Sequence, residues 1–348
     1  MLKERMRVAI YHSNRDIRIE ERPIPKIGNG EILVRVERCG ICGSDVMEWY
    51  RRGRGPLVLG HEIGGVIAEV GDGVSGYKEG ERISASHHVP CNLCHHCLNG
   101  HHTVCETLLH RTNFDPGGFS EYLRLPTINV EGGIYPLPDE VSLEEATFIE
   151  PLACVVRGQR LAGMGLGKGV LVVGCGVAGL LHIQVAKIHG ASCIIGVDPC
   201  KNRLRWAEKF GADIGLSPDD DLEEALREKN KGFLADLVVI CTTSRDGFIK
   251  GLNLIERGGV GLLFAPTMEA ETIPISVNEL FWRRELTLIS SYAGGRMDHL
   301  MALDLIRTRK VKVRELITHR LPLEKIGEGF RLVEEATNCL KVIIEPQR

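Results

Sequence analysis

The segment GVLVVGCGVAGLL, residues 169–181, leaves the chain little choice of local structure. A valine-rich apolar run leads into Gly174-x-Gly176-x-x-Gly179, and a second apolar run, SCIIGVD (192–198), ends on Asp198, 19 residues after Gly179. Strand, glycine turn, helix and strand in that order make a βαβ unit. Its glycines permit a tight turn and let the backbone lie close to a pyrophosphate, whose charge faces the helix N-terminus. An acid at the end of the second strand is placed for ribose hydroxyls. Gly174, Gly176, Val177, Gly179 and Asp198 are therefore the expected dinucleotide contacts, with Arg203 lying against the adenine. A carboxylate at position 198 favours the free 2′-hydroxyl of NAD and repels the 2′-phosphate of NADP. Lys201 and Arg203 nearby pull the other way. The alternative for this segment is a doubly wound domain that binds no nucleotide.

The alternation continues. Strands are expected near 213–216 and at 235–242, 260–266 and 286–292, with a helix at 219–230 among the connections. Six strands with intervening helices make a complete Rossmann sheet, a doubly wound parallel-sheet domain over 154–291. The first half reads differently. Short strand-like runs at 32–39, 64–71, 81–88 and 119–126 alternate with glycine-rich turns, as in a β-rich domain. A chain of 348 residues is too long for one ordinary core. The tail after 292 returns to strand (LITHRLP), helix and a final strand at 340–346, and is expected to rejoin the first domain.

A net charge of −3 gives no electrostatic case for nucleic acid or an anionic membrane. No apolar run reaches the roughly 18 residues that a spanning helix needs. The opening MLKERMRVAI is charged and is not read as a secretory signal, so a cytoplasmic location is expected. The 12 cysteines then argue for reduced thiols rather than a disulfide framework.

Four of those cysteines, Cys91, Cys94, Cys97 and Cys105, have the spacing C-x2-C-x2-C-x7-C. Four thiolates from one loop can close a tetrahedron around zinc and leave no position open, which makes a structural site. The last gap and the lack of a following proline argue against an iron–sulfur cluster. His95, His96, His101 and His102 in the same loop read as solvated side chains. Open-site chemistry needs other residues. CGICGSD (39–45), GHE (60–62) and IEP (149–151) carry a cysteine, a histidine and carboxylates, the ligand types of a catalytic zinc. Cys39 and Cys42 also form a C-x-x-C pair, but without the βαβ context of a redox couple.

Taken together, CGICGSD, LGHEIGGVIAEVGDGV, the four-cysteine loop, DPGGFSEY, FIEPLAC, GCGVAGLL and ITHRLPLEKIGEGF run end to end through the chain. In that order they resemble the zinc-dependent medium-chain dehydrogenases/reductases, in the polyol branch of sorbitol, galactitol-phosphate and threonine dehydrogenases. The resemblance implies a GroES-like catalytic domain of residues 1–153 and 292–348, with a structural-zinc lobe at about 88–110. It implies a catalytic zinc at Cys42 and His61, with Glu62 and Glu150 sharing the remaining positions with water or substrate. It also implies two zinc ions per chain, NAD as cofactor, and a homo-oligomer, tetramer or dimer. The activity implied is hydride transfer between a secondary alcohol, such as a polyol or sugar derivative, and NAD. Threonine or simple secondary-alcohol dehydrogenation is the alternative. Ser44 matches the hydroxyl that begins proton removal in relatives. Met47 departs from the pattern, since many relatives carry histidine there. Glu48 is a neighbouring candidate for the proton path, though it reads more readily as a surface residue. Arg51, Arg52 and Arg54 near the site-forming loop read first as a solvated basic loop, with recognition of a phosphate or carboxylate as the alternative.

Overall fold

The computed structural model describes residues 4–111 and 114–348. The chain divides into two compact units. One takes residues up to Ala153 together with Ala293–Arg309 and Val313–Arg348; the other takes Cys154–Tyr292 and Lys310–Lys312. Lys312 joins the second unit through Gln184, whose Oε1 accepts from the Lys312 amide at 2.7 Å.

The second unit is a six-stranded sheet in the spatial order Ile214–Leu216, Cys193–Val197, Gly169–Val173, Ala235–Ile240, Ile255–Leu263 and Thr287–Ser290. Every pairing is parallel. Gly169–Val173 and Cys193–Val197 are buried along their whole length, as a sheet covered on both faces requires. Leu171, Ile195, Val238 and Ile240 form the core with Phe248 and Leu252 from the following helix.

The first unit is built on a mixed, mainly antiparallel sheet. The strand Ile32–Gly40 pairs with Glu62–Val70, with Tyr122–Leu125 and, near its end, with Lys341–Glu345. The last of these pairings stitches the tail of the chain to its beginning, and Ile326 and Phe330 of the tail helix complete the same core as Val34, Ile63 and Leu123. A smaller three-stranded sheet holds Arg5–Ser13 between Asp16–Pro23 and Leu57–Val58.

Three local features were not read from the sequence. The strand expected at 81–88 is Arg82–Ala85. It stops because the Ser86 hydroxyl takes the His88 amide at 3.1 Å, offering the backbone a turn instead of a ladder. Pro151 does not break the chain. It lies in the first turn of the helix Ile149–Leu161, where a missing N–H costs nothing, and this puts Glu150 in that turn as well. The helix Arg296–Arg307 was not anticipated.

Candidate active site and metal centres

The strand Ile32–Gly40 ends in a loop that folds back on itself. Asp45 donates its amide to Cys42 O at 3.0 Å, and its Oδ2 accepts the Cys42 amide at 3.0 Å. The Asp45 side chain has no exposed surface. Its Oδ1 lies 3.5 Å from His61 Nδ1 and 3.4 Å from the Arg51 guanidinium, which also donates to Ser44 O at 3.3 Å. One carboxylate thus fixes the Cys42 turn and orients the His61 ring. With Nδ1 turned to Asp45, Nε2 is left to bind something else. Burial opposes charge on both partners, but their mutual attraction outweighs it, holding Asp45 below and His61 well above their ordinary pKa values.

His61 follows Gly60, whose φ is +94° and where a Cβ would come within 2.8 Å of both Cys39 Sγ and the Phe119 amide. Only glycine fits there. Glu62 opens the next strand and is 1% exposed. Its carboxylate pairs with Lys341, itself 2% exposed, whose Nζ also donates to Ile41 O at 3.3 Å. Burial works against the Lys341 ammonium, yet Glu62 and Cys42 raise its pKa. The candidate ligand atoms of Cys42, His61 and Glu62 all lie within 4.8 Å of one another. A thiolate, an imidazole and a carboxylate converging from one side suit zinc with a position left open. Glu150 falls in a neighbouring group with His87 and His88, again within 4.8 Å.

Ser44 is half-buried in the Cys42 loop. Met47 precedes the short helix Glu48–Arg51 without capping it through its side chain, and Glu48 is exposed, its carboxylate accepting the Asn14 amide at 3.3 Å. Arg51 and Arg54 flank the Tyr50 ring at 4.8 and 4.6 Å. Arg51 is thereby spent on Asp45, Ser44 and Tyr50 rather than held out for an anion. Cys39 is fully buried and burial pushes its thiol well up, so it packs as a core residue.

The four-cysteine loop forms a separate centre. Its sulfurs also lie within 4.8 Å of one another, with Cys94 to Cys97 and Cys91 to Cys105 both at 3.6 Å. A zinc–sulfur distance of about 2.3 Å implies tetrahedral edges of about 3.8 Å, so this set fits the ion. The Leu93 and Cys94 amides hold the Cys91 thiol below its ordinary pKa, favouring the thiolate a metal needs. Cys97, Cys105 and Leu108 are nearly all the apolar packing here, while Leu93 and Leu98 are exposed. A lobe with so little core would gain its stability from a bound metal.

In the second unit, Gly174 has φ +96°, and a Cβ there would lie 2.6 Å from Cys241 O. A Cβ on Gly179 would be 1.9 Å from Gly174 O. Gly176 is different: a Cβ there would meet only an Arg203 nitrogen at 3.9 Å. It precedes the helix Val177–Ile188 and no side chain caps that end. The space above the first-turn amides fits a pyrophosphate. Asp198 accepts the Cys175 amide at 2.9 Å and the Cys200 amide at 2.8 Å, and Arg203 approaches it to 3.6 Å. The carboxylate therefore ties the glycine turn to the end of Cys193–Val197.

Residues 28–139 match the alcohol dehydrogenase GroES-like domain, and residues 177–308 match the zinc-binding dehydrogenase domain. The chain is 32% identical to D-xylulose reductase A of Aspergillus niger over 342 residues, covering 94% of this chain and 93% of that one. It is 31% identical to sorbitol dehydrogenase of Gallus gallus over 332 residues, 92% and 91% of the two chains. The chain belongs to the zinc-dependent medium-chain dehydrogenase/reductase family. Within it, these relatives put the chain in the polyol dehydrogenase branch. Among solved structures, an alcohol dehydrogenase of Escherichia coli CFT073 complexed with NADH superposes with TM-score 0.88 at 28% identity, covering 99% of this chain and all of that one. A protein of Sinorhizobium meliloti 1021 provisionally named a zinc-binding dehydrogenase, bound to NADP, gives 0.88 at 27% identity with the same coverage.

Sequence reasoning overlooked two buried charged residues that pair with the candidate ligands His61 and Glu62. Asp45 lay inside the quoted CGICGSD motif, but no spacing rule links it to His61. Lys341 is 279 residues from its partner Glu62. Its signal was a lysine in an otherwise apolar final strand, LKVIIEP.

Proposed function

We propose that this chain is a zinc-dependent dehydrogenase that passes a hydride between a secondary alcohol of the polyol class and NAD. The observation that carries the reading is the convergence of Cys42, His61 and Glu62 with Asp45 locked behind the imidazole. Cys42 and His61 would hold the catalytic zinc, with Glu62 and Glu150 as the carboxylates that share its remaining positions. Cys91, Cys94, Cys97 and Cys105 would hold the second ion. Zinc held at the first site would supply a Lewis acid for the substrate hydroxyl, and bound NAD would supply the hydride acceptor. The chain's own work is orientation and proton removal. Asp45 keeps His61 in the tautomer that presents Nε2. Lys341 balances the Glu62 charge, so that a fully buried carboxylate survives beside the site. Ser44, two residues from Cys42, accepts the hydroxyl proton while passing its own outward. Met47 cannot continue that path, because a thioether carries no proton, so the exit runs through ordered water, the cofactor ribose or Glu48.

Gly174, Gly176, Val177 and Gly179 would seat the pyrophosphate, Asp198 the ribose and Arg203 the adenine. Asp198 supports NAD over NADP, since its buried carboxylate repels a 2′-phosphate. A homo-oligomer, tetramer or dimer, in the cytoplasm completes the reading. The test is a screen of purified protein with NAD and with NADP over polyols, sugar acids, sugar phosphates, inositols, threonine and simple secondary alcohols. Turnover of a polyol with NAD is expected. Activity confined to threonine, or to NADP, would overturn the corresponding part.

A further inference from the structure

Asn14 stands in the turn between the strands Arg5–Ser13 and Asp16–Pro23, a place where side chains ordinarily meet water. It is 4% exposed. Asparagine usually serves a turn through a left-handed backbone or a bond to its own following residues. Asn14 is not left-handed, and its side chain bonds elsewhere. Its Oδ1 accepts the Tyr11 hydroxyl at 2.9 Å. Its Nδ2 donates to Val46 O at 2.8 Å and to Glu334 Oε1 at 3.3 Å, and its backbone amide donates to Glu48 Oε1 at 3.3 Å. One buried residue thus joins the first hairpin, the loop after Cys42 and the tail helix Ile326–Glu335. All three belong to the same compact unit.

The loop it reaches, residues 41–47, is neither helix nor strand. Its alternate carbonyls are instead taken up by three different donors. Cys42 O accepts the Asp45 amide at 3.0 Å, Ser44 O accepts Arg51 Nε at 3.3 Å, and Val46 O accepts Asn14 Nδ2. The first donor is local, and the second comes from the helix that continues the same loop. Of the three, only the Asn14 bond ties the loop to an element distant in sequence. Val46 also packs, half-buried, against the core of the unit. Ser44 lies between the Arg51 and Asn14 tethers, so the backbone that carries its hydroxyl is held on both sides.

We propose that Asn14 is a positioning residue for proton removal by Ser44, acting through the Val46 carbonyl rather than on the substrate. This rests on the reading of Ser44 as the group that takes the substrate proton. Such a group must sit within hydrogen-bond reach of that proton. A displacement of about 1 Å caused by a remote change can cost on the order of 10²-fold in rate. The competing role for Asn14 is to hold the tail helix to the hairpin, which would affect stability without regard to Ser44.

The experiment is a double-mutant cycle between Asn14→Ala and Ser44→Ala on the zinc-loaded enzyme with NAD, using sorbitol, xylitol and butane-2,3-diol as alcohols. Asn14→Ala should lower kcat about 10-fold, with the KM for NAD within about twofold of wild type. In the Ser44→Ala background the same change should cost less than about twofold, since the hydroxyl it positions is gone. Asn14→Asp keeps the volume and the acceptor for Tyr11 but cannot donate to Val46 O. It should lose kcat as Asn14→Ala does, and it carries the test where the alanine variant fails to fold. Hydrogen exchange of the amides of residues 43–51 should quicken in both variants, while Lys341–Glu345 keeps the wild-type rate. An equal loss with and without the Ser44 hydroxyl would show that Asn14 supports only the fold, and would overturn the proposal. So would wild-type kcat in Asn14→Asp, or unchanged exchange over 43–51. If Ser44→Ala by itself turns over at the wild-type rate, the Ser44 reading fails and the proposal with it. A wild type inactive on all three alcohols would sink the dehydrogenase reading and, with it, both.

Discussion

Replacing Lys341 by methionine removes the cation from a pair that water cannot reach. Glu62 is 1% exposed and Lys341 2%. A Cβ at Gly40 would lie 2.2 Å from Glu62 Oε2 and 2.7 Å from Lys341 Cε, so the backbone presses directly on the pair. Phe148 covers the ammonium from 5.6 Å. Methionine fills most of the lysine volume, which limits the packing loss. In protein stripped of zinc, where no metal can compensate Glu62, the dominant cost is then an unpaired buried carboxylate, about 3–5 kcal/mol by the usual experience of breaking buried pairs. For a unit of this size that lowers the melting temperature by roughly 10 °C. Adding Glu62→Gln removes the stranded charge, and the double variant should recover at least half of the loss. Calorimetry of the wild type, both single variants and the double variant reads the coupling directly. If Lys341→Met melts with the wild type, or if the double variant is no better than the sum of the singles, the charge balance argued here is wrong.

Further outcomes follow from the same geometry. Asp45→Asn should weaken zinc at Cys42 and His61 by about 10- to 100-fold, read by chelator competition, while metal at the four cysteines is retained. Arg320 grips Glu144 with two bonds of 2.7 and 2.9 Å, and this hydrogen bonding pulls the Glu144 pKa below 4.5. A depressed carboxylate contributes stability above its unfolded pKa and loses it as pH falls through the folded value. Arg320→Gln should therefore be less stable at pH 7, by at most about 1 kcal/mol since the pair is partly exposed, with the deficit shrinking below pH about 4.5. Denaturant titrations at a series of pH values check this, and a deficit that grows in acid would contradict it. Asp198→Ala should lower NAD efficiency and raise that of NADP; an unchanged ratio in steady-state kinetics would show that Lys201 and Arg203 decide the preference.

The parallel sheet was legible because its strands are buried on both faces and so appear as unbroken apolar runs between glycine turns. GVLVV and CIIGV need no partner to be recognised. The antiparallel unit was harder. ERISASHH alternates well enough to read as one strand, yet a serine hydroxyl ends it at Ala85, and His87 then lies tilted against the His61 ring. Cys42, His61 and Glu62 could be picked out as ligand types, but their convergence depends on the pairing of Ile32–Gly40 with Glu62–Val70, which a one-dimensional pattern does not specify. Lys341 was hidden for the same reason. A lysine in a strand ordinarily faces water, and only the partner 279 residues away explains its burial. Glu150 was picked out as a carboxylate beside a proline, and its place in the first turn of a helix was not legible.

The central claim is that two separate metal centres exist and that only the one at Cys42 and His61 does chemistry. Zinc analysis of purified wild type, Cys42→Ser and Cys94→Ser, with activity and melting temperature measured on the same samples, tests it most directly. Wild type should hold two zinc ions per chain. Cys42→Ser should hold about one, lose nearly all turnover and melt close to wild type. Cys94→Ser should melt several degrees lower. A wild type with a single ion, or a Cys94→Ser variant that melts normally but is inactive, would contradict the account.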